Sequence, residues 1–212
     1  MFITYPGTRK IMSVLIAICD RNIALLAADS RMSINSTEQS SEYYFDDSCH
    51  KVFKLNDRLM FGGAGVYERQ EDLCAAFKGY ELSALTLEHA DKLIQGYMSK
   101  LMQRKTDLRN RCYILCGRNI DNEMCIYTYE YDVMLREEEV HYWNMSHEDV
   151  CKLHVGLSPI LTKRTDEYAE KLRAIMHRED TIQGLKNGIS ELIREIADVD
   201  WTVGGEPEII MI

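Results

Sequence analysis

The 212-residue sequence has few prolines and no long apolar segment, and both absences restrict what the protein can be. Three prolines in the whole chain argue against a proline-rich linker or a disordered tail. No apolar run reaches the roughly 18 residues that suggest a membrane span, and residues 1–11 lack the apolar stretch of a signal peptide. No internal repeat or low-complexity segment occurs. With 46% apolar residues, the chain can bury a substantial core as one domain, or at most two small ones.

Excess positive charge and paired cysteine motifs are also missing. The formal net charge is −9, whereas binding to nucleic acid needs a basic face. The seven cysteines include no C-x-x-C pair. Four of them lie among apolar residues and indicate buried thiols in a reducing compartment: Cys19, Cys112, Cys116 and Cys125. We therefore expect a soluble cytoplasmic protein that binds neither nucleic acid nor membranes.

The order of apolar patterns predicts blocks of strands separated by helix pairs. Two hairpins are predicted first, over 14–27 and 51–61, with a polar loop at 33–48 that holds at most one irregular strand. Helices are predicted at 66–77, 86–102, 162–176 and 181–197, and further strands at 112–116, 124–129, 140–145 and 207–212. Such segregated blocks favour an α+β domain in which helix pairs cover two sheets.

The first third of the chain holds four features that make chemical sense together. Ser13 precedes an apolar strand, Asp29 ends the next one in the run A-A-D-S-R, Lys51 opens a third, and glycines follow at 62–65. A hydroxyl nucleophile needs a base, a group that tunes it and backbone donors for the oxyanion. Taken singly, Ser13 is an ordinary strand-edge hydroxyl, Asp29 a strand-end cap and Lys51 a solvated lysine.

In this order and spacing, these features resemble the β-type subunits of the proteasome family, which are N-terminal-nucleophile (Ntn) hydrolases. In that family an aspartate follows the nucleophile by sixteen residues, and Asp29 stands sixteen residues after Ser13. The strand K-V-F-K-L at Lys51 has the form of the family's lysine strand. The resemblance implies a four-layer αββα sandwich over residues 13–212, with residues 1–12 as an N-terminal extension that is absent from or removed in the active protein.

The resemblance also implies roles for individual residues. Ser13 would attack the carbonyl with its own α-amine as base, Lys51 would tune both groups, and Asp29 would pair with Lys51. The N–H of Gly62 would stabilise the oxyanion, with Gly63 as the second choice.

Near the C-terminus, Asp200 stands ahead of Gly204-Gly205. It matches a family aspartate that helps to hold the nucleophile.

The chain departs from the family pattern in three ways. The nucleophile is serine instead of threonine, and Val203 and Leu157 stand where the family has serines that assist the terminal amine. Met12 precedes Ser13, where family propeptides usually end in glycine. Ser13 could become the first residue by translation from Met12 and methionine removal, or by autolysis after Met12. Alternatively, the extension stays and the protein is non-catalytic.

The resemblance implies a peptidase of the threonine-peptidase type that uses serine, needs no cofactor or metal, and cuts peptides or unfolded proteins inside a ring or spiral homo-oligomer. An ATPase or other regulator remains undefined. Two alternatives stay open: a catalytically silent structural or interaction subunit of the same fold, and an Ntn amidase that acts on a small non-peptide amide.

Three further groups of residues are noted in the sequence. The pocket floor is expected near Arg31, Ser33 and Phe61. The cluster at 43–45 would either cover the site or pack in a subunit interface. The spacing of three histidines matches no zinc pattern, so they are interpreted as surface or core residues: His141, His147 and His154.

Overall fold

The computed structural model describes residues 13–35, 43–65, 67–103, 111–132, 137–144, 150–155 and 164–212. The strands in these ranges are β1 Val14–Cys19, β2 Ala24–Ala28, β3 Met32–Asn35, β4 Tyr43–Asp46, β5 Val52–Asn56, β6 Leu59–Ala64, β7 Arg111–Arg118, β8 Met124–Asp132, β9 Glu137–Asn144, β10 Val150–Val155 and β11 Glu208–Met211. The α-helices are α1 Tyr67–Lys78, α2 Leu87–Gln103, α3 Thr165–Arg178 and α4 Ile182–Val199, with a 3₁₀ helix at Leu82–Ala84. None of the helices described is long and apolar enough to cross a membrane.

Most of the predicted elements are confirmed, and two regions differ. Both hairpins are present, and each predicted helix is found with ends displaced by no more than three residues. The segment predicted as a loop at 33–48 instead contributes β3 and β4, which pair with each other as a separate two-stranded sheet. β10 was not predicted, because its six residues, V-C-K-L-H-V, are too few and too mixed to give a clear pattern.

The strands form two larger antiparallel sheets. One has the order β10-β1-β2-β11 and the other the order β5-β6-β7-β8-β9. β1 is central to the first sheet and fully buried, which explains why its sequence is a continuous apolar run without alternation.

Alternate residues of β1 enter two different cores. Val14, Ile16 and Ile18 pack against α3 and α4, and Leu15, Ala17 and Cys19 pack against residues of the second sheet. A third core joins the far face of the second sheet to α1 and α2, through residues such as Phe61, Phe77, Ile94 and Tyr113. The two sheets therefore face each other, and each has a helix pair on its other side.

The predicted buried thiols are confirmed. Cys19, Cys112, Cys116 and Cys125 are all buried, and none of them forms a disulfide. Burial raises the pKa of the Cys125 thiol to about 11, so this group stays protonated at neutral pH.

Two glycines should respond in opposite directions to the same substitution. A Cβ at Gly117 in β7 would lie 2.4 Å from Leu59 Cδ2 and 2.7 Å from the Arg58 carbonyl oxygen, whereas a Cβ at Gly96 in α2 would meet nothing within 4 Å. We expect Gly117→Ala to lower the free energy of unfolding by about 1–3 kcal/mol. Gly96→Ala should raise it by about 0.5–1 kcal/mol. Urea unfolding of both variants checks the pair, and equal effects would contradict the packing described here.

Candidate active site

The topology brings three polar side chains to one edge of the sheets. Ser13 immediately precedes β1 and Asp29 immediately follows β2, and since these strands are antiparallel neighbours, the two residues lie at the same edge. Lys51 immediately precedes β5 in the facing sheet. All three are buried, with exposures of 1% for Ser13, 0% for Asp29 and 4% for Lys51. Because charged groups are seldom buried without a partner, this edge is a candidate functional site.

The Lys51 ammonium links the other two side chains. Its Nζ donates to Ser13 Oγ at 2.9 Å and to Asp29 Oδ1 at 2.9 Å. The resemblance to the proteasome family implied that these three residues would meet, and the structure places them in direct contact. The lysine can therefore act on the serine hydroxyl while its own position is held by the carboxylate.

The Asp29 carboxylate accepts three backbone N–H groups in addition to Lys51. Oδ1 accepts from Val14 N at 3.0 Å, and Oδ2 accepts from Arg31 N and Gly204 N, each at 3.3 Å. Donors on both oxygens fix the rotation of the carboxylate. Two of these donors belong to distant segments, at Val14 and Gly204, so the orientation of the carboxylate depends on how those segments pack.

Gly62 does not occupy the place that the sequence predicted. It lies inside β6, opposite Ile114 of β7. The next residue, Gly63, donates its N–H to Lys51 O at 3.0 Å. Since neighbouring residues in a strand point their N–H groups to opposite sides, the Gly62 N–H points towards β7 and is not available to an oxyanion. The Gly63 N–H is also occupied.

Close packing explains why residue 62 is a glycine. A Cβ there would lie 3.1 Å from Leu26 Cδ2 and 3.3 Å from Val52 Cγ1. Gly62 therefore allows the two sheets to approach each other.

Gly65 stands just beyond the end of β6, on the edge where Lys51 begins the neighbouring strand. Its φ of 114° is a conformation that residues with a side chain rarely adopt. The sequence analysis included this residue only as part of the glycine-rich turn. In the sequence, Gly65 is distinguished from Gly62 and Gly63 as the first glycine after the strand ends.

Asp200 is buried, and its side chain is not hydrogen-bonded to Ser13, Asp29 or Lys51 in the part of the chain described. It follows α4, and its Oδ1 accepts from Thr202 N at 2.9 Å and Thr202 Oγ1 at 2.6 Å. Its Oδ2 is buried and accepts no hydrogen bond from the described residues.

The turn at 200–205 reaches the site through Gly204. Its carbonyl accepts from Ser30 N at 3.1 Å while its N–H donates to Asp29. Val203, where the family has a serine, is fully buried. Leu157 lies outside the described residues.

The predicted pocket floor is only partly supported. Phe61 faces the helices and packs against Phe77 and Tyr113, with ring centroids 5.3 and 5.6 Å apart, and therefore does not line the site. The reason is strand alternation: Gly62 and Ala64 point to the other sheet, so Phe61 points away from it. Ser33 is buried, with 6% of its surface exposed.

Arg31 and the aromatic cluster form a group beside Asp29. The Arg31 guanidinium lies 4.9 Å from the centre of the Phe45 ring, and Phe45 meets Trp201 edge-on at 5.6 Å. Phe45, Trp201 and Tyr44 each expose about half of their surface, at 44%, 54% and 58%. The sequence analysis singled out the cluster at 43–45 but did not predict its contact with Trp201.

A cavity of about 790 Å³ lies at the other end of β6, lined by residues such as Asn56, Arg58, Glu88 and Arg118. It does not include Ser13, Asp29 or Lys51, and we place the chemistry at the buried side-chain cluster instead. Among the described residues, no group of three His, Cys, Asp or Glu side chains is placed to hold a metal ion. His147 and the side chains of His141 and His154 lie outside the described part of the chain.

No protein-family model and no curated protein matches the chain. Among solved structures, it is similar to eukaryotic HslV from Trypanosoma brucei, with a TM-score of 0.54 and 12% sequence identity. The match covers 93% of this chain and 98% of the HslV chain. At this identity the likeness concerns the fold alone, and the mixed α/β architecture described above is similar to that of HslV.

Proposed function

We propose that the protein is a proteasome-like Ntn peptidase whose nucleophile is the Ser13 hydroxyl. The observation that carries the proposal is the buried contact of Lys51 Nζ with both Ser13 Oγ and Asp29 Oδ1. The serine hydroxyl contacts a buried lysine, and a carboxylate holds that lysine in place. This arrangement is typical of an activated nucleophile. The likeness of the fold to that of eukaryotic HslV supports the proposal.

In the proposed mechanism the base is the α-amine of Ser13 itself. A free α-amine has a pKa of about 7.7–8.0, and the nearby Lys51 ammonium disfavours its protonated form. The amine therefore takes the proton of Oγ at neutral pH as Oγ attacks the substrate carbonyl. It later returns a proton to the leaving amine, and water releases the acyl group from Oγ.

The mechanism requires that the chain begin at Ser13, since an amide nitrogen is not a base. Removal of residues 1–12, or translation from Met12 followed by loss of the methionine, would supply that amine. In a chain that keeps the extension, Ser13 has no α-amine, and the same fold would serve as a silent subunit.

We assign the oxyanion donor to Gly65 instead of Gly62. The assignment rests on the position of Gly65 directly after Ala64, the last residue of β6 that pairs with β7. A donor of this kind contributes about 3–4 kcal/mol to transition-state stabilisation. Asp200 would orient the α-amine through Oδ2, because this buried oxygen accepts no hydrogen bond from the described residues.

The same proposal covers the architecture and assembly. One core between the two sheets and two cores between a sheet and a helix pair support a four-layer αββα sandwich. We infer a cytoplasmic homo-oligomer that encloses its sites and admits peptides or unfolded protein. Such enclosure would confine the peptidase activity.

Labelling with a serine-directed fluorophosphonate tests the function. We expect one adduct per chain, located on the peptide that begins at Ser13, together with hydrolysis of an unbiased peptide mixture. Ser13→Ala should lose both, and Ser48→Ala, which removes an exposed serine that bonds only to Asp46 among the described residues, should lose neither. An intact peptide mixture and an unlabelled Ser13 in a chain that begins at this residue would favour the silent subunit. Cleavage of small amides alone would favour the amidase.

A further inference from the structure

Three segments of the chain meet at the Arg31 guanidinium. Its Nε and Nη2 donate to the two oxygens of Asp47 at 2.7 and 2.8 Å, and Nη1 donates to the Trp201 carbonyl at 2.9 Å. Asp47 belongs to the segment that follows β4, and Trp201 to the turn after α4. A bidentate arginine–carboxylate pair has a fixed geometry, so Arg31 holds these two segments in a defined relation to the end of β2.

The guanidinium also packs against the turn that contacts Asp29. A Cβ at Gly204 would lie only 2.5 Å from Arg31 Cζ, so the glycine lets the guanidinium cover this peptide. The Gly204 N–H then points at Asp29 Oδ2, and its carbonyl accepts from Ser30 N. The position of Arg31 therefore decides where one of the donors to Asp29 lies.

The β4 segment holds Arg31 from the outer side. Asp47 pairs with it in the guanidinium plane while the Phe45 ring covers its face at 4.9 Å. The Asp47 carbonyl also accepts from Ser30 Oγ at 2.8 Å. Because β3 and β4 belong to neither large sheet, these contacts join an otherwise separate hairpin to the site.

We propose that Asp47 is a positioning residue for the nucleophile: by fixing Arg31 over Gly204, it keeps Asp29 and hence Lys51 in the geometry that serves Ser13. This inference rests on the proposed peptidase function. The ion pair is partly exposed, with 23% of the Arg31 side chain and 45% of the Asp47 side chain accessible. Partly exposed pairs add little to stability, so the main effect of losing Asp47 should fall on the geometry of the site.

Amide hydrogen exchange tests the positioning without any need for activity. In Asp47→Asn, the Gly204 amide should exchange at least about 10-fold faster, while amides in the core strands keep their protection. Asp57→Asn is the control, since it removes a carboxylate in the same way from a more exposed ion pair, with Lys54, at the other end of β5. Unchanged exchange at Gly204 in Asp47→Asn would overturn the proposal whether or not the protein cleaves peptides.

Kinetics supply the second measurement. We expect Asp47→Asn to lower kcat by about 10-fold or more with KM unchanged, because a small misplacement of reacting groups is costly. Asp47→Glu, which keeps a carboxylate, should recover part of the lost kcat. The Tm values of the parent protein, Asp47→Asn and Asp47→Glu should agree closely. A lower Tm with kcat unchanged would show a structural role only and contradict positioning. If Lys51→Ala leaves turnover unchanged, the proposed function fails, and the exchange result still decides the role of Asp47 in the fold.

Discussion

Replacing Lys51 with alanine is expected to lower kcat by at least about 10³-fold. The ammonium is the one described group that contacts both Ser13 Oγ and Asp29. Without it, the serine loses the cation that favours its alkoxide in the transition state, and the α-amine loses the charge that keeps it unprotonated. Turnover of a fluorogenic peptide by the variant and the parent protein measures the loss.

The same substitution has a stability effect that must be separated from the kinetic one. Removing one partner of a buried ion pair costs about 3–5 kcal/mol, although the three backbone donors to Asp29 should reduce this cost. Lys51→Met keeps most of the volume and should be as inactive as Lys51→Ala. If alanine were inactive and methionine active, loss of folding would explain the result and catalysis would not.

Lys54→Ala is the matched control for Lys51→Ala. Lys54 is three residues further along the chain, and its side chain is 45% exposed in a pair with Asp57. Its loss should leave kcat and KM unchanged within about twofold, in line with the small effects of exposed ion pairs. Equal effects at both lysines, or unchanged turnover in Lys51→Ala, would refute the role given to Lys51.

The parts of the fold that could be predicted are those in which local pattern and burial agree. The helix α4 has an apolar face and an N-cap, Thr181, whose side chain accepts from Gly184 N. Its limits were predicted to within two residues. The contact of Ser13, Asp29 and Lys51 was implied by the resemblance to the proteasome family, and their positions at the ends of antiparallel strands explain why the fold brings them together. The helix limits came from the sequence pattern, whereas the choice of these three residues came from the resemblance to the proteasome family.

The sequence was least informative about strand register and about contacts between residues that are far apart in the chain. Our proposal of Gly65 instead of Gly62 as the oxyanion donor depends on which N–H groups β6 uses for its neighbours, and the strand register gives that information. The contact between Phe45 and Trp201 joins residues 156 positions apart in the sequence. Likewise, β3 and β4 are short and lie within a mostly polar stretch of sequence, so the hydrophobic pattern did not indicate that they pair.

A chain that begins at Ser13 should cleave peptides, whereas a chain that keeps residues 1–12 should not, with a difference of at least about 10³-fold. The reason is that the peptide bond to Met12 makes the nitrogen of residue 13 an amide, and an amide accepts no proton at neutral pH. The contact between Ser13 Oγ and Lys51 Nζ, at 2.9 Å, does not involve this nitrogen. The extension therefore removes the base and not the contact with the lysine.

A fusion whose processing leaves Ser13 as the first residue provides the active form, and intact mass identifies the first residue in each sample. The activity of this form should rise with pH around a pKa at or below the α-amine value of about 7.7–8.0. Acetylating the new terminus should abolish activity, because the acetyl group restores an amide without adding a side chain. If the chain with residues 1–12 turned over as fast as the shortened one, the α-amine would not be the base. Lys51, in contact with Ser13 Oγ, would then be the group that takes the proton.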